Sequence, residues 1–384
     1  MEEIVLKTEK GFFVRNDKDF GALVFSPYSG LFFAIAKDYV EDTLNFCNKK
    51  KHSLQEEIQK QLNIGLVATE KNFETQSWLP NKESFFYINE LPDKSPIVIN
   101  WLISNKCFFK CNYCYASDVI DKDFISRDTQ DIANDILKMQ PLAVVFSGGE
   151  PLREKEKMKV ALNILGDKVG IIIDTNGYNY DAELADLFKK HNAVVRVSLD
   201  TLHNELSKKI RPLKHKTQDN NVLDNIICNI SAYRKKGIPV LVHTVVSTVN
   251  KNSLDDLYDK LPRLNLNGWR LFSVVTPNDK ERKNQFEKMM SYGKVKNTEE
   301  AQSEIKEKFE SIYRKQYISK SNFSVQIVHG SESAKNSVIL VLPDGKFVTE
   351  NMFRHEKTEI NKENIFGKNL VSLQGHYERY LGKI

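Results

Sequence analysis

Ile97-Val98-Ile99-Asn100-Trp101-Leu102-Ile103, directly after Pro96, is a nearly continuous apolar run that ends just short of Cys107. Rich in β-branched side chains and not alternating with polar ones, it predicts a strand covered on both faces, as in a parallel sheet. Five comparable runs follow, at 142–146, 169–173, 194–199, 240–246 and 269–275. Between them, segments 129–139, 155–165, 182–191, 222–236 and 253–261 carry apolar residues at helical spacing. The alternation predicts consecutive βα units and an α/β fold with a parallel sheet. Ser253 before Asp255 and Asp256 predicts a helix N-cap, and Gly237-Ile238-Pro239 predicts a helix stop.

The flanks differ from this core. Residues 1 to about 95 predict a separate module: strands at 11–14, 22–25 and 31–34, helices at 39–47 and 54–62, then a linker with Pro80, Pro92 and Pro96, a winged-helix-like arrangement. After the core, 279–317 predicts a charged helix and 324–348 a hairpin around Pro343-Asp344-Gly345, together a C-terminal cap over 281–384. The charged stretch 280–315 predicts a solvated face.

A chain of 384 residues, 41% hydrophobic and 28% charged, has room for two or three folded modules and lacks a disordered composition. Lys and Arg number 56 and Asp and Glu 51, a dispersed net charge of +5 that does not demand nucleic acid. Apolar runs such as 240–246 fall far short of the ~20 residues that span a bilayer. Met1-Glu2-Glu3-Ile4 lacks a basic start and apolar core, so a cytoplasmic location without disulfides is expected.

Of five cysteines, Cys107, Cys111 and Cys114 share one loop, while Cys47 and Cys228 stand alone. Cys228, between Ile226, Ile227 and Ile230, predicts an inert buried thiol, and Cys47 reads the same way. Three thiolates on one loop hold a soft metal, zinc or iron–sulfur, and differ in what completes the site. Structural zinc wants a fourth Cys or His nearby, yet the closest in sequence are Cys47, His52 and His191. A 4Fe-4S cluster on three cysteines instead leaves one iron open to an external ligand.

Cys107-Phe108-Phe109-Lys110-Cys111-Asn112-Tyr113-Cys114-Tyr115-Ala116 resembles the radical S-adenosylmethionine (SAM) superfamily, with Tyr113 at the aromatic position before the third cysteine. The resemblance covers 97 to about 280 and implies a partial (β/α)6 TIM barrel, one 4Fe-4S cluster on the loop after the first strand, and SAM chelated by the open iron. It also implies reductive cleavage of SAM to a 5′-deoxyadenosyl radical that abstracts hydrogen from substrate, and an external reductant such as flavodoxin or ferredoxin. Ser147-Gly148-Gly149-Glu150-Pro151 looks like the family's methionine-binding segment, with Glu150 facing the SAM amino group. Asn176, in Asp174-Thr175-Asn176-Gly177, is either a SAM contact or a simple turn. Ser198 and Asp200 close the fourth run, an edge that in the family contacts SAM ribose or carboxylate. His203 and Arg211-Pro212 resemble the stretch carrying a carboxylate-binding arginine, against the alternative of a surface salt bridge at Arg211. No acid–base triad is implied. His243, inside the fifth run, is either a proton donor or substrate contact or a hydrogen-bonded core histidine, and Arg270 and Lys110 are equally open.

Within the superfamily these motifs look most like SPASM-type maturases of ribosomally made peptides. That resemblance implies an oxidoreductase that installs a crosslink or epimerises a residue in a precursor peptide whose leader adds as a strand to the first module. A merely packing N-terminal module is the alternative. Segments 342–348 and 365–370 resemble the SPASM extension, but no cysteine follows Cys228, so no auxiliary cluster is expected. The competing readings are the same chemistry on a small metabolite or nucleoside, and a non-catalytic iron–sulfur or peptide-binding protein.

Overall fold

A computed structural model describes residues 5–7, 11–17, 21–27, 30–36, 95–214, 221–273, 298–319, 325–328, 338–351 and 356–359. Six strands follow the predicted runs: β5 (Val98–Ser104), β6 (Ala143–Gly148), β7 (Gly170–Thr175), β8 (Val194–Ser198), β9 (Val240–Val246) and β10 (Gly268–Ser273). They pair in parallel, each beside its neighbour in sequence. This is the βα order of a partial TIM barrel, with helices α1 (Thr129–Lys138), α2 (Lys155–Leu165), α3 (Ala182–Lys190), α4 (Asn204–Ile210), α5 (Val222–Lys235) and α6 (Leu254–Lys260) in the crossovers.

Local sequence explains several helix ends. Asp128 accepts from the Gln130 and Asp131 amides to start α1, and Asp181 accepts from the Leu184 amide to start α3. Gly237, at φ +74°, donates its amide to the Arg234 carbonyl and stops α5. Ser253 occupies the N-cap position of α6 as expected but makes no side-chain capping bond: its hydroxyl donates to the Asn250 carbonyl and lies 3.1 Å from Thr201 Oγ1, because a 3-10 turn (Lys251–Ser253) precedes the helix. Cys228 is also corrected, being exposed. Leu223, Ile226, Ile230 and Tyr233 form the buried stripe of α5 and leave Cys228 on the outer face.

The N-terminal strands β1 (Val5–Lys7), β2 (Phe13–Asp17), β3 (Gly21–Ser26) and β4 (Leu31–Ala36) form an antiparallel sheet in that order, the first of them unanticipated. Phe13, Leu23 and Phe25 join the same apolar core as the barrel strands. Phe25 lies over Gly170, where an added Cβ would come within 2.3 Å of its ring, and Gly30 lies against Val194 and Leu241. These contacts fall at the N-terminal ends of β7, β8 and β9, so the small sheet underlies that end of the barrel. Arg15 seals the joint by donating to the Pro96 and Gln140 carbonyls at 2.9 and 3.1 Å. The expected helices at 39–47 and 54–62, Cys47 and most of the linker lie outside the described residues.

The tail departs from the expectation of a hairpin cap alone. Strand β11 (Val325–Val328) pairs in parallel with β10, and β12 (Val338–Val341) pairs in parallel with β5, so the tail extends the barrel sheet at both edges. From β12, the turn at Pro343-Asp344-Gly345 leads to β13 (Phe347–Asn351) and then β14 (Glu356–Glu359), both antiparallel, giving ten strands in one sheet. Unpaired edge amides and carbonyls of β5 and β10 are thereby satisfied. Helix α7 (Thr298–Ser319) buries Ile305, Phe309 and Ile312, and its Lys308 and Lys315 pair with Asp255 of α6. The rest of the predicted charged helix and segment 365–370 lie outside the described residues. Among the described residues no helix is long and apolar enough to cross a membrane.

Candidate functional site

Strand β5 ends in a register shift between Leu102 and Ser104, and the chain then enters the cysteine loop at the C-terminal end of the barrel. Cys107 is buried, Cys111 and Cys114 are half-buried, and all three pack in one small cluster with Phe109, Ala116 and Ile120. Backbone bonds pin the loop to the end of α4 and the segment after it: Lys110 N to Pro212 O at 2.8 Å, Asn112 N to Ile210 O at 3.1 Å and Lys214 N to Phe108 O at 2.9 Å.

The glycines after β6 pin its other side. Gly149 N donates to Ser104 O and Glu150 N to Lys106 O, both at 2.7 Å. A Cβ on Gly148, at φ +121°, would lie 2.2 Å from Ser104 O, and one on Gly149 would lie 2.2 Å from Lys106 O. The glycine requirement seen here is thus the close approach of two backbones, which fixes where the cysteine loop leaves the barrel.

Glu150 is 0% exposed. Its Oε1 accepts from Leu152 N and Thr175 Oγ1 at 3.2 and 2.8 Å, and its Oε2 accepts from Asn176 N at 2.8 Å. Burial outweighs these three donors and raises its pKa to about 7. The carboxylate therefore ties β6 to the end of β7, with about one of its four acceptor positions left for a ligand. Asn176 forms a turn, its Oδ1 accepting from Tyr178 N at 2.8 Å, and also places Nδ2 3.9 Å from Cys107 Sγ.

Tyr113 donates its hydroxyl to Asp200 Oδ2, and Asp200 Oδ1 accepts from Val245 N at 2.9 Å. Arg211 is 5% exposed, which removes the surface salt-bridge reading. Its guanidinium donates to Ser198 O and to Asn176 O, lies 4.0 Å from Asp200 Oδ2 and covers the Phe109 ring at 4.8 Å. It thus holds the ends of β7 and β8 together beneath the cysteine loop, with its Nε lacking a hydrogen-bond partner. Burial raises the Asp200 pKa, the Arg211 charge only partly opposing it. His203 lies apart, exposed and 2.8 Å from Asp256.

His243 and Arg270 lie deeper. Ser198, His243, Arg270 and Gln326 form one register row across β8 to β11. His243 is half-buried, 4.9 Å from the Phe272 ring, and Arg270 donates to Gln326 Oε1 and to Gly30 O at 2.5 and 2.9 Å. Sequence reasoning missed the bidentate Arg196–Asp174 pair, Gln326, Thr175 and the buried Asn250, which donates to Asp200 O and Val245 O at 2.9 Å. The available signal was polar residues two apart in a strand, which share a face.

Three soft sulfurs in one pocket fit an iron–sulfur cluster. Burial pushes the Cys107 thiol up and Cys111 to about 12, with neighbouring cysteines adding to the latter, so the deprotonated set calls for a multiply charged partner. Among the described residues no three or more His, Cys, Asp or Glu side chains are placed to hold a metal ion. A cube binding each thiolate through a different iron does not require them to converge on one point.

Residues 101–261 match the profile of the radical SAM superfamily. Among curated proteins, the chain is 26% identical over 181 residues to an Fe-coproporphyrin III synthase of Methanosarcina barkeri, covering 45% of this chain and 43% of that protein. It is 26% identical over 205 residues to an S-adenosylmethionine-dependent nucleotide dehydratase of Psychrobacter lutiphocae, covering 49% and 67%. The chain thus matches a little under half of the first relative's length and about two thirds of the second's. Among solved structures, Streptococcus suis SuiB bound to precursor peptide SuiA shares the fold at a TM-score of 0.59 and 13% identity, over 95% of this chain and 89% of that one. With three cysteines on the loop after β5 and five of the six parallel core strands wholly or largely within them, residues 101–261 are a radical SAM domain, whose family uses a 4Fe-4S cluster and SAM.

Proposed function

We propose that this protein is a radical SAM enzyme that modifies a ribosomally made peptide. The observation that carries the chemistry is the gathering of Cys107, Cys111 and Cys114 on one loop, clamped by Gly148 and Gly149, at the C-terminal end of the parallel strands. When bound there, the cluster and SAM supply one-electron cleavage of a carbon–sulfur bond and a radical that takes hydrogen from substrate.

In this reading the three cysteines hold the cluster. Gly148, Gly149 and Glu150 line the methionine side, and Tyr113, Asn176, Ser198, Asp200 and Arg211 line the rest of the SAM site. Arg211 keeps a permanent positive charge beside the thiolates, and the apolar packing of Phe108, Phe109 and Tyr178 around the loop excludes water. A ferredoxin or flavodoxin supplies the electron.

The peptide substrate is supported by the likeness in fold, across 95% of this chain, to a protein solved with its precursor peptide. Residues 1–95 serve leader binding, 96–280 the chemistry and 281–384 the cover over the substrate. A second reading, the same chemistry on a nucleotide, is favoured by the similarity to the Psychrobacter dehydratase.

The test is anaerobic reconstitution with iron, sulfide, SAM and dithionite, with Cys111→Ala as control. 5′-Deoxyadenosine above that control supports the enzyme; none supports a binding protein. Co-expression with short reading frames adjacent to the gene, read by peptide mass, separates the two substrates. Deleting residues 1–36 is not a usable test of leader binding, because it would strip Phe13, Leu23 and Phe25 from the barrel core.

A further inference from the structure

The inner face of the barrel carries a second polar cluster, adjoining the proposed SAM-binding end at Ser198 and extending from it toward the N-terminal sheet. Gly177 touches both Val197 and Ile226 of α5, so Val197 faces the helices, and Arg196 and Ser198 face the lumen. Register places His243 and Arg270 on that same face, and Asp174 beside Arg196. The lumen is closed below by the N-terminal sheet, through Phe25 on Gly170 and Gly30 on Leu241.

Within this blind cup each cation is held rigidly: Arg196 by both oxygens of Asp174, Arg270 by Gln326 and the Gly30 carbonyl. The two guanidiniums flank His243, whose Nε2 is buried without a partner. Among the described residues, the charged groups facing it are thus Arg196 and Asp174 from β8 and β7 and Arg270 from β10. Burial and both arginines hold the imidazole neutral. A buried ring nitrogen without a partner costs free energy that an incoming group can recover. Asp174 neutralises Arg196, so Arg270, held by neutral groups, leaves the cup a net positive charge; the group favoured beside the ring nitrogen is an anion, and it would also favour a proton on the imidazole.

We propose that His243, Arg196 and Arg270 form a seat for a carboxylate of the substrate, fixing which carbon faces the radical above. The inference rests on the peptide reading and narrows it to a peptide bearing either an acidic side chain at the modified segment or a free C-terminus.

The test uses the anaerobically purified full-length protein with isotopically labelled histidine, the His243 resonance being assigned by its loss in His243→Asn. Acetyl-glutamate amide, acetyl-glutamine with a free C-terminus, and acetyl-glutamine amide as neutral control are titrated in turn. We expect one or both carboxylates, but not the neutral control, to raise the His243 pKa by about one unit or more. Arg270→Gln weakens that binding about tenfold. The compound that binds identifies the side chain or the C-terminus as the source. No response to either carboxylate, or an equal response to the neutral amide, overturns the proposal. If Arg270→Gln does not fold, the wild-type titration decides alone. 5′-Deoxyadenosine formation, read in the same preparation, reports the radical chemistry independently of the carboxylate response.

Discussion

The two ends of the barrel are built by opposite means. At the C-terminal end, Ser104 and Lys106 carbonyls meet Gly149 and Glu150 amides, and Glu150, Asp200 and Arg211 are buried charges held by backbone groups and one another. At the N-terminal end, Phe13, Leu23 and Phe25 press apolar surface onto the barrel core, with Arg15 as the one buried charge among the described residues there. In the proposed function the first arrangement positions ligands, and buried polar groups hold it to one geometry; the second supplies the burial that keeps the fold together. Changes at one end should therefore leave the property of the other largely intact.

The largest expected effect is from Cys111→Ala. It should lower bound iron and reduce 5′-deoxyadenosine to background, while the melting temperature of the apoprotein stays near wild type; a collapse of the apo fold would break the separation of ends. Phe25→Ala tests the converse, with an expected loss of about 3–5 kcal/mol in denaturant unfolding and unchanged iron per folded chain. Iron loss matching the stability loss would show that the ends are coupled.

Glu150 sharpens the comparison through pH. Its folded pKa is raised from 4.5 to about 7, so the neutral form is favoured by folding. The associated stability is fully present below about pH 4.5 and is lost as pH rises through about 7, amounting to about 3 kcal/mol for the apoprotein. Glu150→Gln should flatten that slope; parallel profiles for the two proteins would mean that the buried carboxylate is not the source. Gly148→Ala combines a Cβ 2.2 Å from Ser104 O with strain at φ +121°, an expected cost of about 3 kcal/mol or more, accompanied by weaker SAM binding in equilibrium dialysis. Unaltered SAM affinity would remove the clamp from the account.

Much of the chemistry was legible because it is local. Three cysteines within one loop and six apolar runs in βα order are patterns that neighbouring residues carry by themselves. What was not legible depends on partners far away in sequence. The runs at 325–328 and 338–341 look alike, yet one joins β10 and the other joins β5, a choice made by which sheet edge each reaches. Cys228 sits among isoleucines in sequence, but helical geometry turns it outward. Gly148 and Gly149 have as nearest neighbours the backbone atoms of Ser104 and Lys106, a close approach that the motif alone does not show. The Arg196–Asp174 pair joins residues that become neighbours only when β7 and β8 align.

The central claim is that the thiols of Cys107, Cys111 and Cys114 hold an iron–sulfur cluster that engages SAM. Electron paramagnetic resonance of the dithionite-reduced, anaerobically purified full-length protein, with and without SAM and alongside metal analysis, tests it most directly. The account predicts about four irons per chain and a spectrum altered by SAM. Zinc in place of iron, or a reduced iron signal that SAM leaves unchanged, would contradict it.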